Sequence, residues 1–182
     1  LQDARRKCAA QGLRLVKRAS LAAAGLAAAA LIALQPTHAQ ESEAAPSPDA
    51  QDPAWHSKQQ LYLLSLTPAE GWNFEPGGVR WRWLAYRASQ QKPMVANRIT
   101  VHYEGRLIDG TVFDSSYARG EPATFPLGRL VKGWQIAIPN MGVGETIEIA
   151  IPADLAYGPA GRGPIPPNAT LVFKVELIAI EG

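Results

Sequence analysis

Six aromatic residues, Tyr103, Phe113, Phe125, Trp134, Tyr157 and Phe173, fall in six different segments of the second half of the chain. Rings spread in this way either fill a plain core or converge on an apolar pocket. Two of them favour the pocket. Trp134 opens a short helical segment, which places it at a mouth rather than in the middle of a layer. Tyr157 lies in DLAYGPAGRGPIPPN, whose Gly and Pro content suits a loop, and long loops beside aromatic residues commonly carry binding function. Such a pocket binds and desolvates but supplies no nucleophile. Ordinary catalytic sets are missing from the sequence. The three His, at 38, 56 and 102, are scattered. His56 falls outside the expected core, and strand alternation turns His102 away from Val101 and Tyr103, towards solvent. Ser115 and Ser116 lack the G-x-S-x-G elbow, no glycine-rich loop ends in Lys-Ser/Thr, and no acid pair stands out. The lone Cys8 excludes an intrachain disulfide and a Cys-rich metal site. Neither metal nor cofactor is expected.

The elements that must position these rings read as an antiparallel sheet. Val79, Trp81 and Trp83 alternate with Arg80 and Arg82, and Ile99, Val101 and Tyr103 alternate with Thr100, His102 and Glu104. Asp109-Gly110 between two apolar runs marks a hairpin. Ala123 to Leu127 is a further short strand. Ile147, Ile149 and Ile151 alternate, as do Leu171, Phe173, Val175 and Leu177. Gly133 to Ile138 is a helix of two turns or fewer, limited by Pro139, with Trp134, Ala137 and Ile138 on one face. The expected fold is α+β, a twisted antiparallel sheet of about five strands with one short helix covering its apolar face.

The first part of the chain is different material. Residues 1–19 carry six basic side chains and one acid, and residues 21–34, LAAAGLAAAALIAL, carry no charge. A basic region, a short apolar run and a small residue at 39 describe a cleavable signal peptide over 1–39, cut after Ala39. The competing reading, a membrane span, wants ~20 apolar residues. Arg5-Arg6 leaves the twin-arginine route open. Residues 40–54, QESEAAPSPDAQDPA, are acidic and Pro-rich and read as a disordered linker. Residues 55–76 form a short N-terminal extension. Within it, WHSKQQLYLLSL is either one helix with Leu61 and Leu64 on a side or an extended segment, and it packs on the main domain or against a second copy. Residues 77–182 are the main domain. The full chain has a formal charge of +2; without residues 1–39 it loses six of 18 basic residues and one of 16 acids, giving −3, and loses its Cys. A near-neutral chain without a basic face argues against nucleic acid as partner. A Cys-free, mildly acidic domain suits an oxidising compartment. The expected location is periplasmic or secreted, with no stable membrane insertion after cleavage.

These residues carry a resemblance. VHYEG at 101–105, DGTVFDSS at 109–116, FPLG at 125–128, Gly133-Trp134, MGVGE at 141–145, AYG at 156–158 and IPPNATLVFKVEL at 165–177 resemble the FKBP-type peptidyl-prolyl cis-trans isomerases, in family order and near-family spacing. The leading segments resemble those of exported bacterial members. The resemblance implies a sheet wrapped around one short helix. It implies Tyr103 and Phe113 as pocket walls, Asp114 as the pocket acid and Trp134 as the floor under a prolyl ring. It makes Leu130 a wall and Val131 the residue whose backbone N–H meets a ligand carbonyl. Tyr157 supplies a hydroxyl to a substrate carbonyl, and Ile165 and Phe173 complete the enclosure. Asp114 either orients the pocket through hydrogen bonds or closes the turn before Ser115. Proline-containing polypeptides are the implied substrates and macrolides a second ligand class, although Ala123 stands where many members carry an aromatic and opens one wall. The implied activity is isomerisation of X-Pro bonds during folding of exported proteins. A non-catalytic module or chaperone that holds proline-containing segments is the alternative.

Overall fold

The computed structural model describes residues 52–181. The expected signal peptide and the linker as far as residue 51 lie outside the described residues. Helix α1 spans Pro53–Ser65, begun by an Asp52 cap whose carboxylate accepts from the Ala54 N–H at 2.8 Å, with proline at the first helical position. The last three residues assigned to the linker therefore belong to the cap and first turn of this helix. Its buried side chains are Gln59 and Leu63. Leu61 and Leu64 point outward, 64% and 68% exposed. The two leucines that suggested a packing face are thus on the open side, because Leu63, which lies between them in the chain, takes the contact.

Seven strands follow: β1 (Asn73–Phe74), β2 (Arg80–Ala85), β3 (Arg98–Leu107), β4 (Val112–Ser115), β5 (Ala123–Pro126), β6 (Thr146–Ile151) and β7 (Leu171–Glu181). They form one sheet in the order β1-β2-β6-β7-β3-β4, with β5 also paired to β3. All pairings are antiparallel. The count exceeds the expected five for two reasons. Strand β1 has two residues, too few to show a period. One edge of β3 is shared, residues 98–101 pairing with β5 and 104–106 with β4. The β3–β4 hairpin turns where Asp109-Gly110 predicted: Gly110 has φ +91°, and the Asp109 carboxylate accepts from the Thr111 N–H at 2.9 Å.

Helix α2 (Ser116–Arg119) follows β4, capped by the Ser115 hydroxyl, which accepts from the Ala118 N–H at 3.2 Å. Helix α3 (Lys132–Ala137) packs on the sheet and tightens into a single turn over Ile138–Asn140, where Pro139 removes a donor. Trp134, Ala137 and Ile138 are all buried, as the helical spacing predicted. Close approach of α3 requires Gly133, since a Cβ there would stand 2.6 Å from Ile151 Cδ1. The core between α3 and the sheet is built from Ile99, Val101, Ile147, Ile149, Ile151, Leu171, Val175 and Leu177, each fully buried. Glu145, 1% exposed, closes the entrance to β6 by accepting from the backbone N–H groups of Gly142 (2.7 Å), Arg87 (3.0 Å) and Ser89 (3.2 Å). Burial alone would raise its pKa, but these three donors hold it below the ordinary value of 4.5. No helix among the described residues is long and apolar enough to cross a membrane.

Candidate functional site

The rings of five elements meet edge to face in one chain. Phe125 of β5 stands 6.0 Å from Tyr103 of β3, which stands 5.7 Å from Trp134 of α3. Trp134 lies 5.3 Å from Phe173 of β7, and Phe173 lies 5.6 Å from Phe113 of β4, with interplanar angles of 89° and 86°. Such T-shaped contacts match ring edges to ring faces and fix each ring against rotation. Register explains the meeting. Gly105 of β3 pairs with Phe173 on one side and with Asp114, next to Phe113, on the other. A side chain at 105 would come within 2.7 Å of both phenylalanine rings, so the glycine makes the room in which they touch.

Above this ring chain lies a cleft of about 170 Å³, open at its mouth, lined by Tyr103, Phe113, Asp114, Phe125, Leu130, Val131, Trp134, Tyr157 and Phe173. Eight of the nine residues singled out from the sequence are brought together there. The ninth, Ile165, is 7% exposed and lines an adjoining groove with Phe113, Asp114, Tyr157 and Arg162. Trp134 is 4% exposed and forms the floor. Leu130 and Val131 are held by Gln135 of α3, whose amide donates to the Leu130 carbonyl at 2.7 Å and the Gly128 carbonyl at 3.2 Å. Val131 caps α3 with extended backbone, at the helix end where N–H groups lack intrahelical partners. Tyr157 stands at the rim beneath the Arg162 guanidinium, 5.6 Å from its ring centroid.

The polar part of the cleft is a three-residue cluster. The Tyr103 hydroxyl donates to one oxygen of Asp114, and Arg119 donates to the other. Arg119 also donates to the Tyr103 hydroxyl at 3.0 Å and lies 5.5 Å from its ring centroid. Burial raises the Tyr103 pKa, and its hydrogen bond to Asp114 raises it further. For Asp114, burial pulls upward, but the hydrogen bonds from Tyr103 and Arg119 and the guanidinium charge win and hold the carboxyl below its usual range. Asp114 is therefore an ionised acceptor that holds both the Tyr103 hydroxyl and the Arg119 guanidinium. Sequence reasoning missed Arg119. Its signal was its place in the last turn of α2, five residues after Asp114.

His102 departs from expectation. Its ring is half-buried, stacked on Tyr117 at 4.7 Å, and its Nδ1 is 3.0 Å from the Ser116 hydroxyl. Helix α2 supplies both partners by folding back over β3, which alternation along one strand does not reveal. The Ser–His contact is not a nucleophilic pair. Ser116 is fully buried, and its hydroxyl is committed to the backbone of Tyr103, accepting from the N–H at 2.7 Å and donating to the carbonyl at 3.2 Å. His56 lies on α1 with Nε2 at 3.5 Å from the Asn168 amide.

Comparison with known proteins gives one family. The model of the FKBP-type peptidyl-prolyl cis-trans isomerases matches residues 89–178. The peptidyl-prolyl cis-trans isomerase Mip of Coxiella burnetii is 55% identical over 92 residues, which cover 50% of this chain and 40% of that protein. FK506-binding protein 1 of Dictyostelium discoideum is 51% identical over 92 residues, covering 49% of this chain and 86% of that protein. The solved structure of FkpA from Escherichia coli superposes with a TM-score of 0.65 at 37% identity, over 69% of this chain and 58% of that one. The chain thus spans about half the length of these two bacterial relatives.

Proposed function

From the premise that this chain belongs to the FKBP-type peptidyl-prolyl cis-trans isomerase family, we propose that residues 77–182 accelerate rotation about X-Pro bonds of polypeptides folding outside the cytosol. The observation that carries this reading is the unbroken ring chain from Phe125 to Phe113 with Trp134 as its floor.

The chemistry asks for no nucleophile. X-Pro rotation faces a barrier of ~18–20 kcal/mol because the amide must give up its resonance. The planar amide is the more polar form, so water favours it over the twisted one. A prolyl ring held on Trp134 between Tyr103, Phe113 and Phe173 leaves water behind, which removes that preference. The ring is held while the preceding residue turns. The Tyr157 hydroxyl and the Val131 N–H donate to substrate carbonyls and fix the turning half, with Leu130 and Ile165 as apolar walls. Asp114 acts through Tyr103, which it locks in place. Lowering the barrier by about 5 kcal/mol would give nearly four decades of rate. Burial of one prolyl ring and two hydrogen bonds are of that order.

Residues 1–39 serve as a cleavable signal peptide and residues 40 to about 51 as a tether, and the location is the periplasm or the exterior of a bacterial cell. The amino-acid pattern of those segments supports this. The test is isomerisation of short X-Pro peptides, followed by a protease-coupled assay or by NMR exchange. Micromolar protein should speed the cis-to-trans step well above buffer, and a rate equal to buffer sinks the proposal. An aggregation assay run beside it separates catalysis from holding, since suppression of aggregation without isomerisation would mark a chaperone.

A further inference from the structure

Helix α1 touches the loop that carries the rim of the cleft. The Trp55 indole N–H donates to the Pro167 carbonyl at 2.8 Å. The Gln59 side-chain oxygen, on a residue 3% exposed, accepts from the Thr170 N–H at 2.9 Å. His56 meets Asn168 between them. One turn of helix therefore reads three positions of the loop's end, separated by 112, 112 and 111 residues of chain. Gln59 Nε2 is buried without a partner. An unpaired buried amide is costly, so the residue is explained by its oxygen, the half that holds the loop.

The contact reaches the cleft by a short path. The Asn168 N–H donates to the Gly158 carbonyl at 2.9 Å, which closes the loop directly behind Tyr157. Within the loop, Arg162 and Ile165 exchange two backbone hydrogen bonds of 2.9 Å each. Gly161, at φ +63°, has no room for a side chain: a Cβ would stand 2.8 Å from the Pro166 carbonyl carbon. A loop cross-tied in this way moves as a unit. The helix is fixed separately, because Leu63 packs with Leu66, Trp72 and Ala150 on the sheet. Its second half is the anchor, and its first half is free to set the loop.

We propose that α1 is a positioning element of the cleft: Trp55 and Gln59, by holding residues 167–170, set where Tyr157 and Ile165 stand over the substrate. This rests on the isomerase reading, and the experiment separates the two. The full chain, its Trp55→Phe variant and the double variant Trp55→Phe with Gln59→Leu are compared for X-Pro peptide isomerisation well below the melting temperature, and for amide hydrogen exchange. Phe keeps the ring and loses the donor; Leu keeps the bulk and loses the acceptor. The double variant should lose about tenfold in kcat/KM, as a small displacement of a substrate-contacting group costs. The Arg162 and Ile165 amides should exchange about tenfold faster while β6 and β7 amides keep their rates. The single variant should fall between. Unchanged activity overturns the proposal, with or without faster loop exchange. Exchange that rises equally in β6 and β7 also overturns it, because the helix would then be a general stabiliser. Should the full chain itself show no isomerisation, the isomerase reading fails. The exchange of Arg162 and Ile165 then decides whether α1 holds the loop.

Discussion

Strand β6 has two faces, and the same six residues build opposite chemistry on them. Ile147, Ile149 and Ile151 point into the core beneath α3 and back the aromatic cleft. Thr146, Glu148 and Ala150 point to the other side, and all three are also buried. On that outer face Glu148 takes Arg82 at 2.7 Å on one oxygen and Arg106, reaching diagonally across β7, on the other. Beside it, Ala150 lies under Leu63, Leu66 and Trp72, while Arg82 stacks 4.7 Å from the Trp72 ring and Arg80 donates to the Leu63 carbonyl at 2.8 Å. The inner face excludes water with rings that leave an open cleft. The outer face excludes it around Glu148 and Ala150 with a paired ionic cluster and a covering helix. One face carries an open aromatic cleft, and the other is covered by the chain itself.

Substitutions can break this contrast. The largest effect is expected from Trp134→Ala, which removes the floor. It should cut kcat/KM by about a hundredfold or more and cost about 3–5 kcal/mol, because the residue belongs to both cleft and core. Isomerisation kinetics beside denaturant unfolding checks both. Next comes Glu148→Ala, which strands two arginines. Since each remains about a third exposed, a loss of about 2–3 kcal/mol is expected in chemical unfolding, with kcat/KM per folded molecule within about twofold. A large loss of activity there would erase the distinction between the faces. Tyr157→Phe should do the reverse, lowering kcat/KM about tenfold while stability stays within ~0.5 kcal/mol, as expected for one lost hydrogen bond to substrate. The smallest effect concerns the entrance to β6, which both faces share. The folded pKa of Glu145 lies below its unfolded value. Its stabilisation is therefore complete above the unfolded value and is lost as pH falls through the folded one. Glu145→Gln should lower stability near neutral pH by about 1 kcal/mol and flatten its decline in acid. A parallel decline in both proteins, followed by circular dichroism, would remove Glu145 from the acid limit.

The inner face was legible because alternation reports it directly. Ile147, Ile149 and Ile151, with Trp134 at the head of a helix ended by Pro139, placed sheet and helix from residue types and spacing alone, and the family resemblance supplied the floor. Motif order then brought eight of the nine expected residues to one cleft. The outer face was not legible. A period of two says that Glu148 opposes Ile147 and Ile149, but it cannot say that a distant segment will cover the polar side. Leu61 and Leu64 looked like the packing face of α1, whereas the tertiary contact chose Leu63. His102 was expected in solvent and is instead roofed by α2, where it meets Ser116 and Tyr117. Arg119 joined Asp114 and Tyr103 only because α2 folds back over the hairpin. Local order along the chain determined which residues share a face, since pleat and helix repeat fix that within a few positions. What covers a face, and which far residue completes a hydrogen bond, was decided by tertiary structure alone. Those contacts join separate segments, from Arg119 and Tyr103, 16 positions apart, to Trp55 and Pro167, 112 apart, and no period along one segment carries them.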